Sequence, residues 1–491
     1  MRRAWPAALL LLACSSVRSQ APQNSYDNSL VLAPLYVKYT TDSEAEFSSQ
    51  VRDLKANIGG GPGVLVGFAS FLRMTYPAEP MLDTLDTIVE RARTHQIVAH
   101  VSIISGFFHD TNNLRASAIL QDVRNAQWFS DGWIAEPSTL SDASTVPPGI
   151  WITPSRYARP LRARMEEGAR ALGSRVAALM AKNPDVLVSV SGDAEVEFSY
   201  ERNIEGGERR VARATPVYAD YSPFMIEEFR DWIRATRYAG DLTPATDNNR
   251  DGRTFNRDYK QSFATWRLRF YDGSGPIPFA DYVGFKEKLP SRGAFFIEGG
   301  FDAPRQEKPG DALWAAWTRF RKQAIANYVR DFATWITTSP DTETRRTVPA
   351  NRFYSHQIPA DFLFGDSNSL RLKTSASYLE TAVIAPVGSA GVTVFNTYDG
   401  KNHKKTGTDA LFRKLSAANW GILEYNPSVP IRTAQEPSTD VDYYLGELKN
   451  LRRYHPHVIV PFAWTNEPGL KGYRIQGRAF EAALKRFVGG K

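Results

Sequence analysis

Short apolar runs alternate along this chain with segments in which apolar residues recur every three or four positions. LVLAPLYVKY (30–39) reads as a buried strand, and SEAEFSSQVRDLKANI (43–58) as a helix capped by Asp42 or Ser43. The alternation continues with strand-like GVLVGFASFL (63–72), a helix over 82–96, strand-like IVAHVSIISGFF (97–108), and a strong helix over 160–183. The fourth strand, VLVSVSGDAEVEF (186–198), precedes a stretch at 198–309 that reads as an insertion. Within it, SPFMIEEFRDWIRATRY (222–238) has helical period, with Pro early in its first turn. A helix over 311–336 then leads to strand-like RFYSHQIP (352–359), AGVTVFNTYDG (390–400) and WGILEYNP (420–427). The helix at 441–454 precedes the last run, HVIVPFAW (457–464).

Eight apolar runs separated by helices predict a parallel (β/α)8 barrel, a TIM barrel with a long insertion after strand 4. Short runs apolar throughout fit strands covered on both faces. A doubly wound sheet competes, but it does not account for polar residues gathered at the carboxyl end of nearly every run. The barrel is expected over 28–491.

The fourth run carries the clearest chemical signal. By strand parity Val188 and Val190 share one face, while Ser189, Ser191, Asp193, Glu195 and Glu197 share the other. The apolar face is expected against the helices and the polar file at the barrel mouth. Glu424 closes the apolar run 421–423, where an unpaired carboxylate is costly to bury. Two acids on distant parallel strands can flank one glycosidic bond, one protonating the leaving oxygen and the other attacking the sugar carbon. The fourth-strand acids also read as surface acids on a solvated strand end, and Glu424 as a salt bridge at the barrel rim.

SGDAEVEF resembles the fourth-strand acid/base motif of clan A glycoside hydrolases, and residues 219–240 resemble the segment that follows it in family 42 β-galactosidases. GILEYNP is similar to the seventh-strand segment bearing the nucleophile, and FAW to the place where an aromatic floors the sugar site. The resemblance implies Glu195 as acid/base and Glu424 as nucleophile. One position departs from the pattern: Ala194 stands where that clan usually has an Asn that contacts the sugar 2-hydroxyl. That contact is lost, or it is supplied by Asp193, His356 or Gln357. Further binding groups are expected at the strand ends: Tyr36, His109, Glu197, Asn396, Tyr398 and Trp464. Trp128, Trp133, Trp151 and Trp266 read as core or as a widened sugar site, with core favoured.

Composition narrows the rest. Of 491 residues 42% are hydrophobic and 23% charged, enough for a large core. The start pairs Arg2 and Arg3 with an apolar stretch at 7–13, a leader pattern too short to span a bilayer. Residues 1–19 are expected to be removed on export to the periplasm or medium. Leu11-Leu12-Ala13-Cys14 also resembles a lipoprotein box, which would anchor the chain to a membrane through Cys14. Cys14 is the sole cysteine, so the mature chain has no disulfide. Losing residues 1–19 lowers the formal charge of +7 by three, which gives no reason to expect a nucleic-acid partner.

Asp247, Asn249, Asp251 and Asp258 fall at oxygen-ligand positions of an EF-hand-type loop, with Gly252 at its turn. The loop reads as a structural calcium site or as a polar turn. Two-carboxylate hydrolysis itself requires no metal or cofactor. The function expected is an exported retaining β-glycosidase. A surface barrel that binds glycans without cleaving them is the main alternative. An aldolase ranks below both, since Lys38 is the only lysine at a strand end and no metal-ligand cluster appears at one.

Overall fold

A computed structural model describes residues 29–105, 121–128, 154–194, 220–236, 312–357, 388–395, 408–426, 440–462 and 477–490, with positions 26, 196, 267–268, 276, 297–298 and 464. Eight strands form a closed barrel: β1 (Leu30–Leu32), β2 (Val64–Arg73), β3 (Val98–Ile104), β4 (Leu187–Gly192), β5 (Phe353–Gln357), β6 (Ser389–Phe395), β7 (Trp420–Asn426) and β8 (Val458–Pro461). Each pairs in parallel with its sequence neighbours, and β1 closes the ring on β8. All eight expected runs are present, and the doubly wound alternative is excluded by closure.

Helices α1 (Glu44–Asn57), α2 (Glu79–Thr94), α3 (Arg159–Lys182), α4 (Pro223–Thr236), α5 (Ala312–Thr337), α6 (Thr408–Leu415), α7 (Val441–Arg452) and α8 (Gly477–Val488) accompany the strands. Local signals set their starts. Ser43 and Glu46 form a reciprocal capping box on α1, which resolves the choice between Asp42 and Ser43. Pro opens α2 and α3, where its missing N–H is no loss. Asp440 accepts from the amides of Asp442 and Tyr443 to start α7. Among the described residues no helix is long and apolar enough to cross a membrane.

Two apolar layers result. The outer one lies between strands and helices and includes Val101, Leu187, Val190, Val392, Ile422 and Tyr425. The inner one fills the barrel with Val31, Ala33, Leu35, Ala69, Val98, Val188, Tyr354, Leu423 and Val458. Tyr26 closes the amino-terminal end, its hydroxyl 2.7 Å from that of Tyr354. Above this apolar base the lining turns polar, with His100, Ser189, Ser191, His356 and Thr393 buried in it. The active end of such a barrel is the carboxyl end of its strands.

Candidate functional site

Regular alternation would place Glu424 on the wrong side of β7. Trp420 and Ile422 face the helices, so position 424 would follow them outward. An extra residue reverses this. Val392 and Thr393 of β6 pair with Ile422 and Glu424, and Ile459 and Pro461 of β8 pair with Ile422 and Tyr425. Both neighbours therefore see one surplus residue on β7, a β-bulge that re-aims the side chain. Leu423 and Glu424 both turn inward, and Tyr425 returns to the outer layer, where its hydroxyl meets Glu447 of α7 at 3.2 Å. Leu423 needs the space that Gly391 leaves open: a Cβ there would lie 2.1 Å from Leu423 Cδ1.

Inside the barrel the half-buried Glu424 receives a donor on each oxygen. Asn426 Nδ2 donates to Oε1 at 3.0 Å, and Thr393 Oγ1 donates to Oε2 at 3.4 Å. His356 Nε2 stands 2.8 Å behind the Thr393 hydroxyl. Burial depresses the His356 pKa to about 4, so the ring is neutral at ordinary pH.

β4 also carries a surplus residue. Ala99 and His100 of β3 pair with Leu187 and Ser189, leaving Val188 extra. Val188 consequently joins the inner layer rather than sharing the helix-facing side with Val190 as simple parity predicts. Ser189 and Ser191 do face the interior, each hydroxyl bonded to one ring nitrogen of His100, at 2.8 and 3.0 Å. Burial, reinforced by the nearby His356, pushes the His100 pKa down to about 3.

Beyond Gly192 the polar file departs from the expected course. Asp193 is 1% exposed and turned into a buried cluster rather than toward the mouth. It accepts from the Ser105 amide at 2.7 Å, from the Ser105 hydroxyl, and from Tyr328 of α5 at 3.0 Å; Arg156 Nε lies 3.2 Å away. Burial and the Asp193 charge hold the Tyr328 pKa well above the phenol range. The backbone on either side of position 195 is held as well. Ala194 N donates to Ile103 O at 3.1 Å, Arg156 reaches Ala194 O at 3.4 Å, and the Tyr157 hydroxyl donates to Val196 O. Glu195 and Glu197 themselves lie outside the described residues.

The loops after β3 and β4 meet on Asp220. Its carboxylate accepts from the amides of Trp128 (3.1 Å) and Ser222 (2.8 Å) and from the Ser155 hydroxyl. Burial raises its pKa to about 6 despite those donors. Trp128 is buried in the outer layer, as the core reading expects. Trp133, Trp151 and Trp266 lie outside the described residues.

The remaining candidates scatter. Tyr36 packs beside Phe47 and Phe68 with its hydroxyl on Asp42, on the helix side of the barrel. Trp464, 6% exposed, donates from Nε1 to Gln50 of α1 at 2.8 Å and packs tilted against Phe68, so it does not floor the interior. Gln357 follows His356 and pairs in register with helix-facing Val392, which puts it on the outer face. His109, Asn396, Tyr398, Cys14 and the loop of Asp247, Asn249, Asp251 and Asp258 lie outside the described residues. Among the described residues no cluster of His, Cys, Asp and Glu fits a metal ion. Thr393, Asn426, Ser105, Arg156 and Tyr328 were not singled out from the sequence. His100 and Thr393, polar residues inside apolar runs, carried a signal that alternation alone did not weigh.

No protein-family model matches the chain, and no curated sequence matches it. Among solved structures, the catalytic domain of a β-amylase from Paenibacillus polymyxa superposes with a TM-score of 0.53 at 10% identity, covering 94% of this chain and 99% of that one. This likeness shows a shared fold. A cold-adapted β-galactosidase from Rahnella sp. R3 gives a TM-score of 0.48 at 11% identity, over 94% of this chain and 56% of that one. A GH5-4 broad-specificity endoglucanase from an uncultured bacterium gives 0.40 at 8% identity, over 94% and 95%.

Proposed function

We propose that the protein is an exported glycoside hydrolase acting on β-linked sugars with retention of configuration, with Glu424 as nucleophile and Glu195 as acid/base. The observation that carries this reading is the β7 bulge. It brings a carboxylate into the barrel and gives each of its oxygens a donor, near the strand ends where Asp193 and the backbone of Ala194 and Val196 are also held. The fold shared with the catalytic domain of a β-amylase is consistent with sugar chemistry at that face.

A retaining mechanism requires two carboxyl groups roughly 5–5.5 Å apart. Glu424 Oε attacks the anomeric carbon while Glu195 gives its proton to the glycosidic oxygen, so the aglycone leaves as an alcohol. Glu195, now a carboxylate, takes a proton from water as that water attacks the same carbon. The glycosyl–Glu424 ester breaks, and both carboxyls return to their starting states. Asp193, held by Arg156, Ser105 and Tyr328, braces the acid/base segment instead of touching the sugar. The leader of residues 1–19 directs export; the mass of the mature chain separates cleavage after Ser19 from lipidation of Cys14.

A panel of aryl β-glycosides and β-linked polysaccharides, read by product chromatography with wild type and Glu424→Gln, tests the reading. Turnover lost in E424Q with affinity retained supports it. Binding without turnover in the wild type identifies the glycan-capturing barrel instead.

A further inference from the structure

The interior of the barrel holds a chain of neutral groups that ends on Glu424. Thr393 Oγ1 lies 3.4 Å from Glu424 Oε2 and 2.8 Å from His356 Nε2. A hydroxyl has one proton. Donating it to the carboxylate obliges Thr393 to accept from His356, so Nε2 carries the imidazole proton and Nδ1 is the bare nitrogen. Nδ1 is buried and has no hydrogen-bond partner among the described residues, and the residue is 3% exposed. An imidazole spending a buried lone pair in this way is placed for what its other nitrogen does.

The titratable groups around it fit that assignment. His100 faces it from β3, with both ring nitrogens already engaged by Ser189 and Ser191. Glu424 faces it through Thr393 from β7. Tyr354, two residues back on β5, is bonded to Tyr26 at the amino-terminal end. None of these hydrogen bonds competes for Nε2–H.

We propose that Thr393 and His356 are positioning residues for Glu424: the imidazole fixes the direction of the Thr393 hydroxyl, and the hydroxyl aims and stabilises the carboxylate. The inference rests on the two-carboxylate reading. Burial keeps His356 uncharged down to about pH 4. A neutral relay stabilises the anion by hydrogen bonding and holds its direction. His356, named from the sequence as a substrate ligand, thereby acts from behind the carboxylate.

The test uses the full chain with Thr393→Val, Thr393→Ser, His356→Leu and His356→Gln, the last keeping an N–H near the position of Nε2. The pH profile of kcat/KM on an activated aryl β-glycoside reports the Glu424 carboxyl on its acid limb. Removing the Thr393 donor should move that limb to higher pH, the acidity constant falling by roughly threefold to tenfold, the range of one modest hydrogen bond to a charge. T393V and H356L should shift it, and T393S and H356Q should restore it. Melting curves on the same variants separate loss of fold from loss of aim. An unmoved acid limb in folded T393V and H356L overturns the proposal. A second readout needs no substrate: infrared titration of the carboxylate band that E424Q removes. If E424Q keeps its turnover, the two-carboxylate reading falls, while the infrared midpoint in T393V still decides whether Thr393 holds Glu424.

Discussion

The carboxyl ends of β4 and β7 solve the same placement problem with different materials. Both strands carry a surplus residue, Val188 in one and the Leu423–Glu424 step in the other. At β7 the described donors are local and neutral: Thr393 from the adjacent strand and Asn426 from the same one, both bonded to the carboxylate itself. At β4 it is distant and charged: Arg156 and Tyr157 from the approach to α3, Tyr328 from α5 and Ser105 after β3. There the bonds fall on Asp193 and on the backbone of Ala194 and Val196. In the proposed roles this division has a chemical reason. A nucleophile must stay ionised and aimed, which donors on its own oxygens achieve. An acid/base must gain and lose a proton in every turnover, so its support is better placed on the backbone that carries it.

The sharpest way to break the comparison is to ask which acid the β4 clamp serves. Glu195→Gln should cut turnover by about 10²–10⁴-fold, the usual contribution of a positioned general acid. Azide should rescue Glu195→Ala on an activated aryl glycoside and leave Glu197→Ala unaffected. Rescue confined to E197A would move the acid two residues along the chain.

The next effect is on stability. Arg156→Met leaves Asp193 buried without its cation and should cost about 3–5 kcal/mol in denaturant unfolding, as for other broken buried pairs. A cost near zero would mean that water or other donors carry Asp193, and the two strand ends would then differ less than described. Gly391→Ala tests the β7 side by packing alone. Its methyl would meet Leu423, and overpacking of this kind costs about 1–3 kcal/mol. The same substitution should lower activity more than its stability cost explains, because Leu423 adjoins Glu424 at the bulge.

A pH dependence is shared by both halves. Burial holds the pKa of His100 at about 3 and that of His356 at about 4, against the ordinary 6.5 of a histidine. Between these limits the unfolded chain binds protons that the native state refuses, so stability falls as pH drops from about 6.5 toward 4. Unfolding midpoints measured across that window should decline in wild type and decline less in His356→Gln. Equal slopes would show that the His356 ring already takes a proton in the native protein.

Much of this architecture was legible in the chain. Alternating strand and helix periods located all eight barrel strands, and the sequence narrowed the cap of α1 to Asp42 or Ser43, of which the structure uses Ser43. Counting by twos failed at the two bulges. An extra residue leaves no mark on composition, yet it flips every later side chain. Val188 went inward for this reason, and Glu424 reached the interior although Trp420 and Ile422 face out. Tyr36 and Trp464 were placed at the mouth by their position just past strand ends. The chain turns there, and their rings pack among Phe47 and Phe68. Arg156 and Tyr328 were illegible because their partner, Asp193, lies 37 and 135 positions away in sequence.

Mechanism-based trapping tests the central claim most directly. A 2-deoxy-2-fluoro aryl β-glycoside slows breakdown of a covalent glycosyl ester enough for peptide mass spectrometry. The account predicts one sugar per chain, attached to Glu424. A sugar on any other residue, or steady turnover of the parent glycoside by E424Q, would contradict it.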